Sequence, residues 1–375
     1  MSTFFVSYVL TYRMNLFFIV FVIHVQAQIG ELEIPLVIPL KPVQIEKLRE
    51  VASTYSEAKM FADLVTQEAQ PFLGTKPNPI KAIHYEGFVH TDPQRIESVT
   101  HLQDMARVSC LLKYWMISGD LRAEETLKQY ILAWIQTYQL TGNDVNENKL
   151  YPLLVAYYTI RDSFLAEDCL VVERWIQNLG ALHEDSVKNS NHLTNRYSKH
   201  LRLLAIAGMI LGKQDWVVAS YEGIKRFISN SLYEDGSSLD FRRRDTLTYH
   251  ASSLIPLIEL AFLLGKQGNA LYTWSSIKGG SLKKSVDFVV PYAMGEKTRQ
   301  EWVHSEVALD HRRAEEGIEE YRIGRYYEPA SALALMELAV FFDPSLMRVV
   351  HHLTHNKAEL YPTWQTLINE VARVN

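Results

Sequence analysis

Apolar residues recur every three to four positions along most of the chain, which is the period of an α-helix with a buried face. Leu102, Met105 and Leu111 belong to the first clear run, which stops at Ser118-Gly119-Asp120. Runs of the same kind predict helices over 121–140, 149–164, 193–211, 216–228 and 254–264. The alternation of apolar and polar residues that is typical of strands is scarce. The pattern therefore predicts an all-α protein.

The predicted helix ends repeat at a nearly constant distance. Turns are predicted at Gly119, near Ala166, at Gly212 and at Gly265, which are 47, 46 and 53 residues apart. The sequence Leu-Gly-Lys-Gln occurs at both 211–214 and 264–267, with glycine as the left-handed stop of the helix. A period of roughly 45 to 50 residues is typical of stacked helical hairpins. Around half a dozen such hairpins would close or nearly close a ring.

One segment, 279–327, breaks this period. It is irregular and rich in Arg, His, Glu and Tyr. A long loop inside a regular array is usually either functional or disordered. Aromatic residues are depleted in disordered segments, so a functional loop is favoured here. Its aromatic residues include Tyr292, Trp302, Tyr321, Tyr326 and Tyr327, the last residue of the segment.

The N-terminus has the pattern of a secretory leader. Arg13 precedes the apolar run 16–25, and Val25-Gln26-Ala27 supplies small residues for cleavage. That run is shorter than the roughly 20 residues that a membrane span needs. Residues 1–27 are therefore predicted to be a signal peptide, with Met14 as a possible alternative start. Residues 28–375 are expected to form a single secreted or periplasmic domain.

Charge narrows the choice of ligand. The chain has 38 Lys and Arg against 43 Asp and Glu, a formal net charge of −5. Overall charge therefore argues against nucleic acid. An anionic ligand would need local cationic clusters, and two are present, Arg196 with Lys199 and Arg202, and the run 242–244. The two cysteines, Cys110 and Cys169, lie in apolar helical stretches and are interpreted as isolated buried thiols.

Three polar stretches each lead into an apolar helix. The stretch 189–200 carries an amide, an imidazole and several cations, and it is either a capped helix start or a scaffold that presents chemistry. In 235–250, Tyr249 follows Arg242 by seven residues, and a guanidinium beside a tyrosine hydroxyl stabilises the phenolate form. A solvated arginine loop with a core tyrosine is the alternative. In 141–150, Asn143 and Asn146 could cap a helix or bind sugar hydroxyls.

Taken together, these motifs resemble the helical-toroid alginate lyases, which cleave polymannuronate. The matching sequences are TGNDVNENKL at 141–150, SNH at 190–192, the Arg242 to Tyr249 arrangement, DFVVPYAMGEKTRQEW at 287–302 and RYYEPA at 325–330. The resemblance covers roughly residues 70 to 345. One departure concerns the residues after His192, where the family commonly has Ser-Tyr-Trp and this chain has Leu-Thr-Asn. This departure leaves the exact uronic acid open.

The resemblance implies an incomplete (α/α) toroid of about five to six hairpins, acting as an exported, monomeric polysaccharide lyase on a polyuronate. It implies no cofactor and no metal. Its four catalytic residues correspond here to Asn191, His192, Arg242 and Tyr249. Residues expected to bind substrate are Asn143, Asn146, Lys199, His250, Trp302, Tyr326 and Tyr327.

The chemistry of a lyase needs residues of these types. The enzyme removes the C5 proton of a uronate and expels the O4 alkoxide of the neighbouring sugar. The carboxylate must be neutralised by fixed donors, which is the role expected of Asn191 and Arg242. Tyr249 can act as both base and acid when the two groups leave from the same side, as in a mannuronan. His192 would be the base for an anti elimination, or would otherwise polarise the carboxylate and orient the tyrosine.

Two other functions remain open from the sequence. A glycoside hydrolase would need two carboxyls about 5 to 9.5 Å apart, for which Asp235, Asp240, Asp245 and Glu147 are available. A non-catalytic polysaccharide-binding toroid would use aromatic residues for stacking but would not need Tyr249 beside an arginine. The remaining histidines are interpreted as an exposed helical face (His351, His352, His355) and as loop residues near the substrate (His304, His311).

Overall fold

The computed structural model describes residue 32, residues 34–354 and residues 363–373. These residues form α-helices and short 3-10 turns, and they contain no β-strand. Two isolated bridges, Leu232 with Ser238 and Gln300 with Tyr326, are the extended pairings among them. The all-α prediction is confirmed. The predicted signal peptide, 1–27, lies outside the described residues.

The helices follow one another with short connections along most of the chain. In order they are α1 (Pro42–Thr54), α2 (Ser56–Ala69), α3 (Pro93–Ser118), α4 (Leu121–Thr137), α5 (Asp144–Asn148), α6 (Tyr151–Ile160), α7 (Ala166–Asn189), α8 (Asn195–Leu211), α9 (Gln214–Ser231), α10 (Leu239–Arg244), α11 (Leu247–Leu263), α12 (Lys266–Thr273), α13 (Leu282–Ala293), α14 (Ala308–Glu315), α15 (Leu333–Val340), α16 (Met347–Leu353) and α17 (Trp364–Ala372). 3-10 turns lie at Gln70–Phe72, Arg161–Ser163, Glu319–Tyr321, Pro329–Ala332 and Pro344–Leu346.

The predicted hairpin turns are where the sequence places them. Gly119 ends α3, Gly212 ends α8 and Gly265 precedes α12, with φ of 69°, 66° and 58°. Only glycine adopts a positive φ without a steric penalty. The predicted left-handed stop is present at Gly212 but not at Gly265, whose ψ is −121°. The fourth turn is the 3-10 turn Arg161–Ser163, after which α7 begins at Ala166. Helix α11 begins earlier than predicted, because Thr246 caps it by accepting the Thr248 N–H.

Helix α8 lies at the centre of the packing, between α7, α9 and α11. From Leu201 to Ala207 every side chain is buried. A helix that is apolar on all sides must be enclosed by other elements. Its polar first turns, from Asn195 to Lys199, emerge at one end of the helix array, next to the start of α11.

The segment 279–327 is more regular than predicted. It contains α13 and α14, and Pro291 lies inside α13. Ser281 caps α13 by accepting the Lys284 N–H, and the buried side chains of this helix recur at helical spacing, which stabilises it despite the proline. The rest of the segment is tied to Asp245, whose carbonyl and carboxylate accept backbone N–H groups from Trp302 and His304.

Other predicted features can be placed in the same structure. Cys110 and Cys169 are free thiols, as interpreted from the sequence, but both are half-buried and not fully buried. Partial burial raises the pKa of Cys110 to about 11. His351 and His352 lie in the last turn of α16, whereas His355 lies outside the described residues.

Within the described ranges, no group of three His, Cys, Asp or Glu is arranged to hold a metal ion. In the same ranges no helix has the length and apolar character needed to cross a bilayer.

Candidate active site

A cleft of about 430 Å³ opens where the first turns of α8 and α11 meet α10, α14 and the segment 85–87. Two carboxylates line it, from Glu86 and Asp240. Cationic side chains outnumber them, and they come from four places in the chain: Lys149, Arg196, Lys199, Arg243, Arg244 and Arg313. A cleft with this excess of positive charge attracts anions even though the whole chain is acidic.

Tyr249 lies in this cleft on the first turn of α11. The buried carboxylate of Glu301 accepts the Leu247 N–H at 2.6 Å, and so fixes the start of the helix. Asp245, immediately before α11, has a left-handed backbone with φ of 53°. The chain therefore reverses between α10 and α11, and Arg244 is brought back over the tyrosine.

Two arginines and a second tyrosine surround the Tyr249 side chain. The Arg244 guanidinium carbon lies 3.3 Å from the centre of the Tyr249 ring. Arg313 Nη1 donates to the Tyr249 hydroxyl at 3.2 Å and to the Tyr321 hydroxyl at 2.6 Å. The two hydroxyl oxygens are 3.3 Å apart. A phenol in such surroundings is suited to proton transfer, because a neighbouring guanidinium stabilises the phenolate.

Asp310 and Trp302 hold this group in place. Asp310 forms a bidentate ion pair with Arg244 and also accepts the Ser305 hydroxyl at 2.7 Å. Trp302 packs edge-on against the Tyr249 ring, with centroids 5.8 Å apart. Because Trp302 is only 2% exposed, it supports Tyr249 from behind and presents no stacking face to a ligand.

The first turns of α8 form the opposite wall. Lys199 Nζ donates to the Asn195 carbonyl at 3.1 Å, and the Asn195 N–H donates to Asp240 at 2.7 Å. Burial lowers the pKa of Lys199 to about 8 and raises the pKa of Asp240 to about 6. Both shifts have the sign expected when a charge is taken out of water. An anionic ligand that contacts Lys199 would favour its charged form.

Arg196 marks the end of the cleft near Glu86. Its guanidinium binds the buried Asp144 carboxylate at 2.7 Å and Glu86 at 3.3 Å. Behind Asp144 lie the buried His183 and the half-buried His200, whose Nδ1 atoms are 2.7 Å apart, and His183 is 3.0 Å from Glu147. Burial lowers the pKa of the outer histidine, His200, to about 4. This layer fixes Asp144 and, through it, Arg196.

Of the four residues predicted to be catalytic, only Tyr249 lines the cleft. Asn191 and His192 are exposed in the loop before α8. That loop is bound to α9, since Arg226 donates to the Ser190 carbonyl and Ser231 to that of Leu193. The helix was predicted to begin at Leu193, but α8 begins at Asn195, so this pair lies before its first turn.

Arg242 also points away from Tyr249. Its guanidinium stacks on the Tyr233 ring at 3.5 Å and binds Asp235 and Ser237. The seven-residue spacing to Tyr249 does not bring the two together, because the left-handed Asp245 interrupts the helix between them. The roles assigned to Asn191, His192 and Arg242 from the resemblance stay predictions that their positions do not favour.

Among the residues predicted to bind substrate, Lys199 lines the cleft and the asparagines lie behind its wall. Asn143 caps α5, accepting the N–H groups of Val145 and Asn146. Asn146 is buried, accepts the Glu86 N–H at 2.9 Å and donates to the Ile83 carbonyl at 2.7 Å. These contacts fix the backbone of the segment 85–87, so the two amides shape the cleft without facing it.

The remaining predicted residues lie outside the cleft lining. His250 is fully buried between the Ser238 hydroxyl and the Ser285 carbonyl, each at 2.9 Å. Burial lowers its pKa to about 4. Tyr327 is buried, and Tyr326 is exposed on the bridge to Gln300. Their predicted contacts with substrate stay predictions.

Two residues of the site, Arg313 and Tyr321, had no individual signal in the sequence. Both belong to the segment 279–327, whose aromatic and charged composition marked it as functional. Their pairing with Tyr249 depends on the way this segment folds back onto Asp245, which local patterns do not encode. Arg243 and Arg244 were within the predicted cationic cluster 242–244. Arg202 of the other cluster is instead paired with the buried Glu259 at 2.8 Å.

Comparisons with known proteins agree with this architecture. The family model described as alginate lyase matches residues 46–299. An alginate lyase from Bacteroides ovatus is similar in structure, with 15% identity, a TM-score of 0.59, and coverage of 87% of this chain and 97% of that one. Alginate lyase A1-III from Sphingomonas species A1 has 14% identity, a TM-score of 0.55, and coverage of 80% and 87%.

A variant of alginate lyase A1-III complexed with a tetrasaccharide is similar to the same degree, with 15% identity, a TM-score of 0.58, and coverage of 80% and 86%. No curated protein matches this chain. Likeness at this identity shows the fold, which is the all-α (α/α) toroid predicted from the sequence.

Proposed function

Because the chain belongs to the alginate lyase family and is a polysaccharide lyase, we propose that it cleaves a mannuronate-rich alginate by β-elimination. The products would be oligosaccharides with a double bond between C4 and C5 of the new non-reducing end. The observation that carries this proposal is the convergence of cationic side chains around the Tyr249 hydroxyl.

The cationic lining meets the first requirement of the reaction. A proton next to a carboxylate is very weakly acidic, because its removal places a second negative charge on the same group. Fixed donors that bind this charge lower the barrier more effectively than water does. Lys199 is the best placed to bind the uronate, since its ammonium lines the cleft and Arg244 is already paired with Asp310. We assign carboxylate binding to Lys199, with Arg243 beside it.

Tyr249 meets the second requirement. Its oxygen takes the C5 proton, and the resulting phenol returns that proton to the O4 leaving oxygen. The cycle restores the starting ionisation of the site and needs no net proton from solvent. One hydroxyl can reach both positions only when the C5 hydrogen and O4 lie on the same side of the sugar, as in mannuronate. This geometry supports the proposed preference for mannuronate over guluronate.

Glucuronan is the alternative substrate, since it presents the same carboxylate and C5 proton. A glycoside hydrolase is less well supported, because only Asp240 of its four candidate carboxyls lines the cleft. That carboxylate accepts the Asn195 N–H. The other three carboxylates, of Glu147, Asp235 and Asp245, lie outside the cleft lining and accept the N–H groups of Thr141, Ser237 and His304. A binding protein would have no use for a tyrosine hydroxyl held by an arginine.

The experiment is a panel of polymannuronate, polyguluronate and glucuronan incubated with the purified protein. Ultraviolet absorbance detects the new double bond, and a reducing-sugar assay counts chain breaks. We expect the two signals to rise together and fastest on polymannuronate. Reducing ends without absorbance would mean hydrolysis. The absence of both signals would indicate a non-catalytic binding protein. A faster rate on glucuronan would replace the proposed substrate but keep the mechanism.

We also propose that the protein is exported, acts as a monomer, and carries no membrane anchor once its leader is removed. The leader pattern in 1–27 supports export. The excess of acidic over basic residues disfavours attachment of the protein to an anionic membrane surface. N-terminal sequencing of the protein recovered outside the cytoplasm should give Gln28 as the first residue. Size-exclusion chromatography of the same sample tests the monomer.

A further inference from the structure

We infer that Tyr321 activates Tyr249, by holding as a phenolate the negative charge that Tyr249 needs when it takes the C5 proton. Tyr249 and Tyr321, here called the tyrosine pair, would form a two-step proton relay around Arg313. This inference rests on the proposed lyase reaction and deepens it, because it names the group that receives the Tyr249 proton when Tyr249 acts as the base. Tyrosine in water ionises near pH 10.

The geometry of the tyrosine pair is that of a relay. The hydroxyl oxygens lie 3.3 Å apart, and Arg313 Nη1 is 2.6 Å from Tyr321 and 3.2 Å from Tyr249. A proton can pass between two oxygens at such a distance when they approach a little more closely. The shorter contact places the positive charge nearer to Tyr321, so that the resting phenolate is favoured on Tyr321.

Access to the cleft divides the roles in the same way, and the Arg313 contact must offset the cost of burying a phenolate at Tyr321. Tyr321 is only 6% exposed and packs with Ile318 and Trp302 in a small core of its own. Trp302 contacts both rings, at 5.8 Å from Tyr249 and 4.9 Å from Tyr321. Tyr249 is more exposed, and it can reach a sugar in the cleft. Tyr321 therefore acts through Tyr249 and is a positioning residue.

Charged groups of both signs surround the tyrosine pair, and two cations contact it directly. Arg313 is the guanidinium that contacts both hydroxyls. Arg244 stacks on the Tyr249 ring, but Asp310 neutralises much of its charge. Across the cleft stand Lys199 and Asp240, which largely offset one another. Removing a second proton would place two negative charges side by side, which strongly coupled groups resist.

The proton transfers balance as follows. The Tyr249 hydroxyl gives its proton to the Tyr321 phenolate while its oxygen takes the proton from C5. Both tyrosines are then neutral phenols, and the substrate carries the extra negative charge. Tyr249 next gives its proton to O4 as the C4–O4 bond breaks, and the C4=C5 double bond forms. Tyr321 returns its proton to Tyr249, and the pair is again singly ionised.

The test is the pH dependence of turnover in Tyr321→Phe at saturating polymannuronate. Saturation matters because a bound uronate keeps Lys199 charged in the alkaline range. At neutral pH we expect a loss of at least about 10-fold in turnover, with little change in KM. The loss should shrink as the pH approaches about 10, the ordinary ionisation range of tyrosine, because a phenol then loses its proton without an acceptor beside it. Tyr249→Phe should stay inactive at every pH.

Tyr272→Phe is the matched control, since it removes a buried hydroxyl far from the cleft, beside Phe342. It should keep the wild-type profile. A Tyr321→Phe enzyme with the wild-type rate and profile would overturn the relay, and so would a loss that stays constant with pH in a folded protein. If the wild-type protein makes no unsaturated product, the lyase proposal itself fails.

A second measurement does not depend on the activity of a variant. Spectrophotometric titration of the wild-type protein should show one tyrosine that ionises below the others. That ionisation should be absent from Tyr321→Phe and present in Tyr272→Phe. If the titration curves of wild type and Tyr321→Phe coincide in this range, Tyr321 holds no charge and the inference is wrong.

Discussion

Two neighbouring arginines on α10 contact different groups, and a pair of variants separates their roles. Arg244 stacks on Tyr249, whereas Arg242 stacks on Tyr233 and binds Asp235. Arg244→Ala should lower turnover by about 10-fold or more, because the cation over the reactive ring is lost. Arg242→Ala should stay within about 2-fold of wild type, as a substitution of an exposed side chain.

Steady-state kinetics on polymannuronate measure both variants. A large loss in Arg242→Ala with near-normal Arg244→Ala would reverse this assignment. The role that the family resemblance gives to Arg242 would then be correct, and Arg242 would have to reach the cleft in solution.

Lys199 gives a prediction about pH. Because burial lowers the pKa of Lys199 to about 8, the free enzyme loses this cation as the pH rises through that value. The ratio kcat/KM reports the free enzyme, so it should fall on the alkaline side near pH 8. Lys199→Arg keeps its charge to a much higher pH, and its alkaline fall should move upward or vanish. An unchanged alkaline limb in Lys199→Arg would show that another group causes it.

At this scale the sequence predicted some residues of the site and missed others, for physical reasons. Tyr249 and Lys199 line the cleft because each lies on the first turns of a helix whose apolar body must be buried. Arg313 was not predicted, since its contact with Tyr249 spans 64 residues and depends on tertiary folding. Asn191 and His192 were predicted from a motif, and the motif does not specify that α8 begins at Asn195.

Helices α7 and α9 are held together by a contact that tolerates no added atom. A Cβ built on Gly180 of α7 would lie 2.0 Å from the Trp216 ring of α9. Trp216 is fully enclosed, so it cannot move away without disturbing its neighbours. Gly180→Ala should therefore cost about 1–3 kcal/mol of unfolding free energy, the usual cost of overpacking.

Urea unfolding of four proteins measures this contact: wild type, Gly180→Ala, Trp216→Leu and the double variant. Trp216→Leu is destabilising alone because it leaves a cavity. We expect the double variant to be more stable than the sum of the two losses predicts, since the methyl group partly fills that cavity. Strict additivity would show that the two residues do not contact each other as described.

Most elements, but not all, follow from the apolar pattern. The hairpin turns at 119, 212 and 265 could be predicted because glycine has a local conformational reason to be there. Helix α13 could not, since its Pro291 resembles a helix breaker and its stability comes from a cap and a buried face. The way segment 299–305 binds Asp245 depends on a left-handed aspartate, a conformation that sequence rarely indicates.

At the scale of the whole molecule, His250 makes the free energy of unfolding depend on pH. Burial lowers the pKa of His250 to about 4 in the folded protein, against about 6.5 in an unfolded chain. Between those values the unfolded chain binds a proton that the folded protein does not, so stability falls as the pH falls. The full difference between the two pKa values corresponds to about 3 kcal/mol of unfolding free energy.

Unfolding in urea at about pH 7 and about pH 4.5 measures this dependence. In His250→Gln the loss between the two conditions should be smaller than in wild type. His200 contributes in the same direction, because burial also lowers its pKa to about 4, so some dependence should remain. An equal loss in wild type and His250→Gln would show that His250 is not the group responsible.

The ring-like fold brings together residues that are far apart in sequence, and the account of function depends on that assembly. Glu86, Lys199, Tyr249 and Tyr321 come from four different elements, yet all line one cleft. The central claim is that Tyr249 removes and returns the proton of an elimination in this cleft.

The most direct test is the rise of ultraviolet absorbance when polymannuronate is added to wild type, Tyr249→Phe and Tyr272→Phe at equal concentration. We expect wild type and Tyr272→Phe to give the same rate. Tyr249→Phe should lose at least about 100-fold in turnover with an unchanged melting temperature, because the ring and its packing remain. A folded Tyr249→Phe protein that forms unsaturated oligosaccharides at close to the wild-type rate would contradict the account.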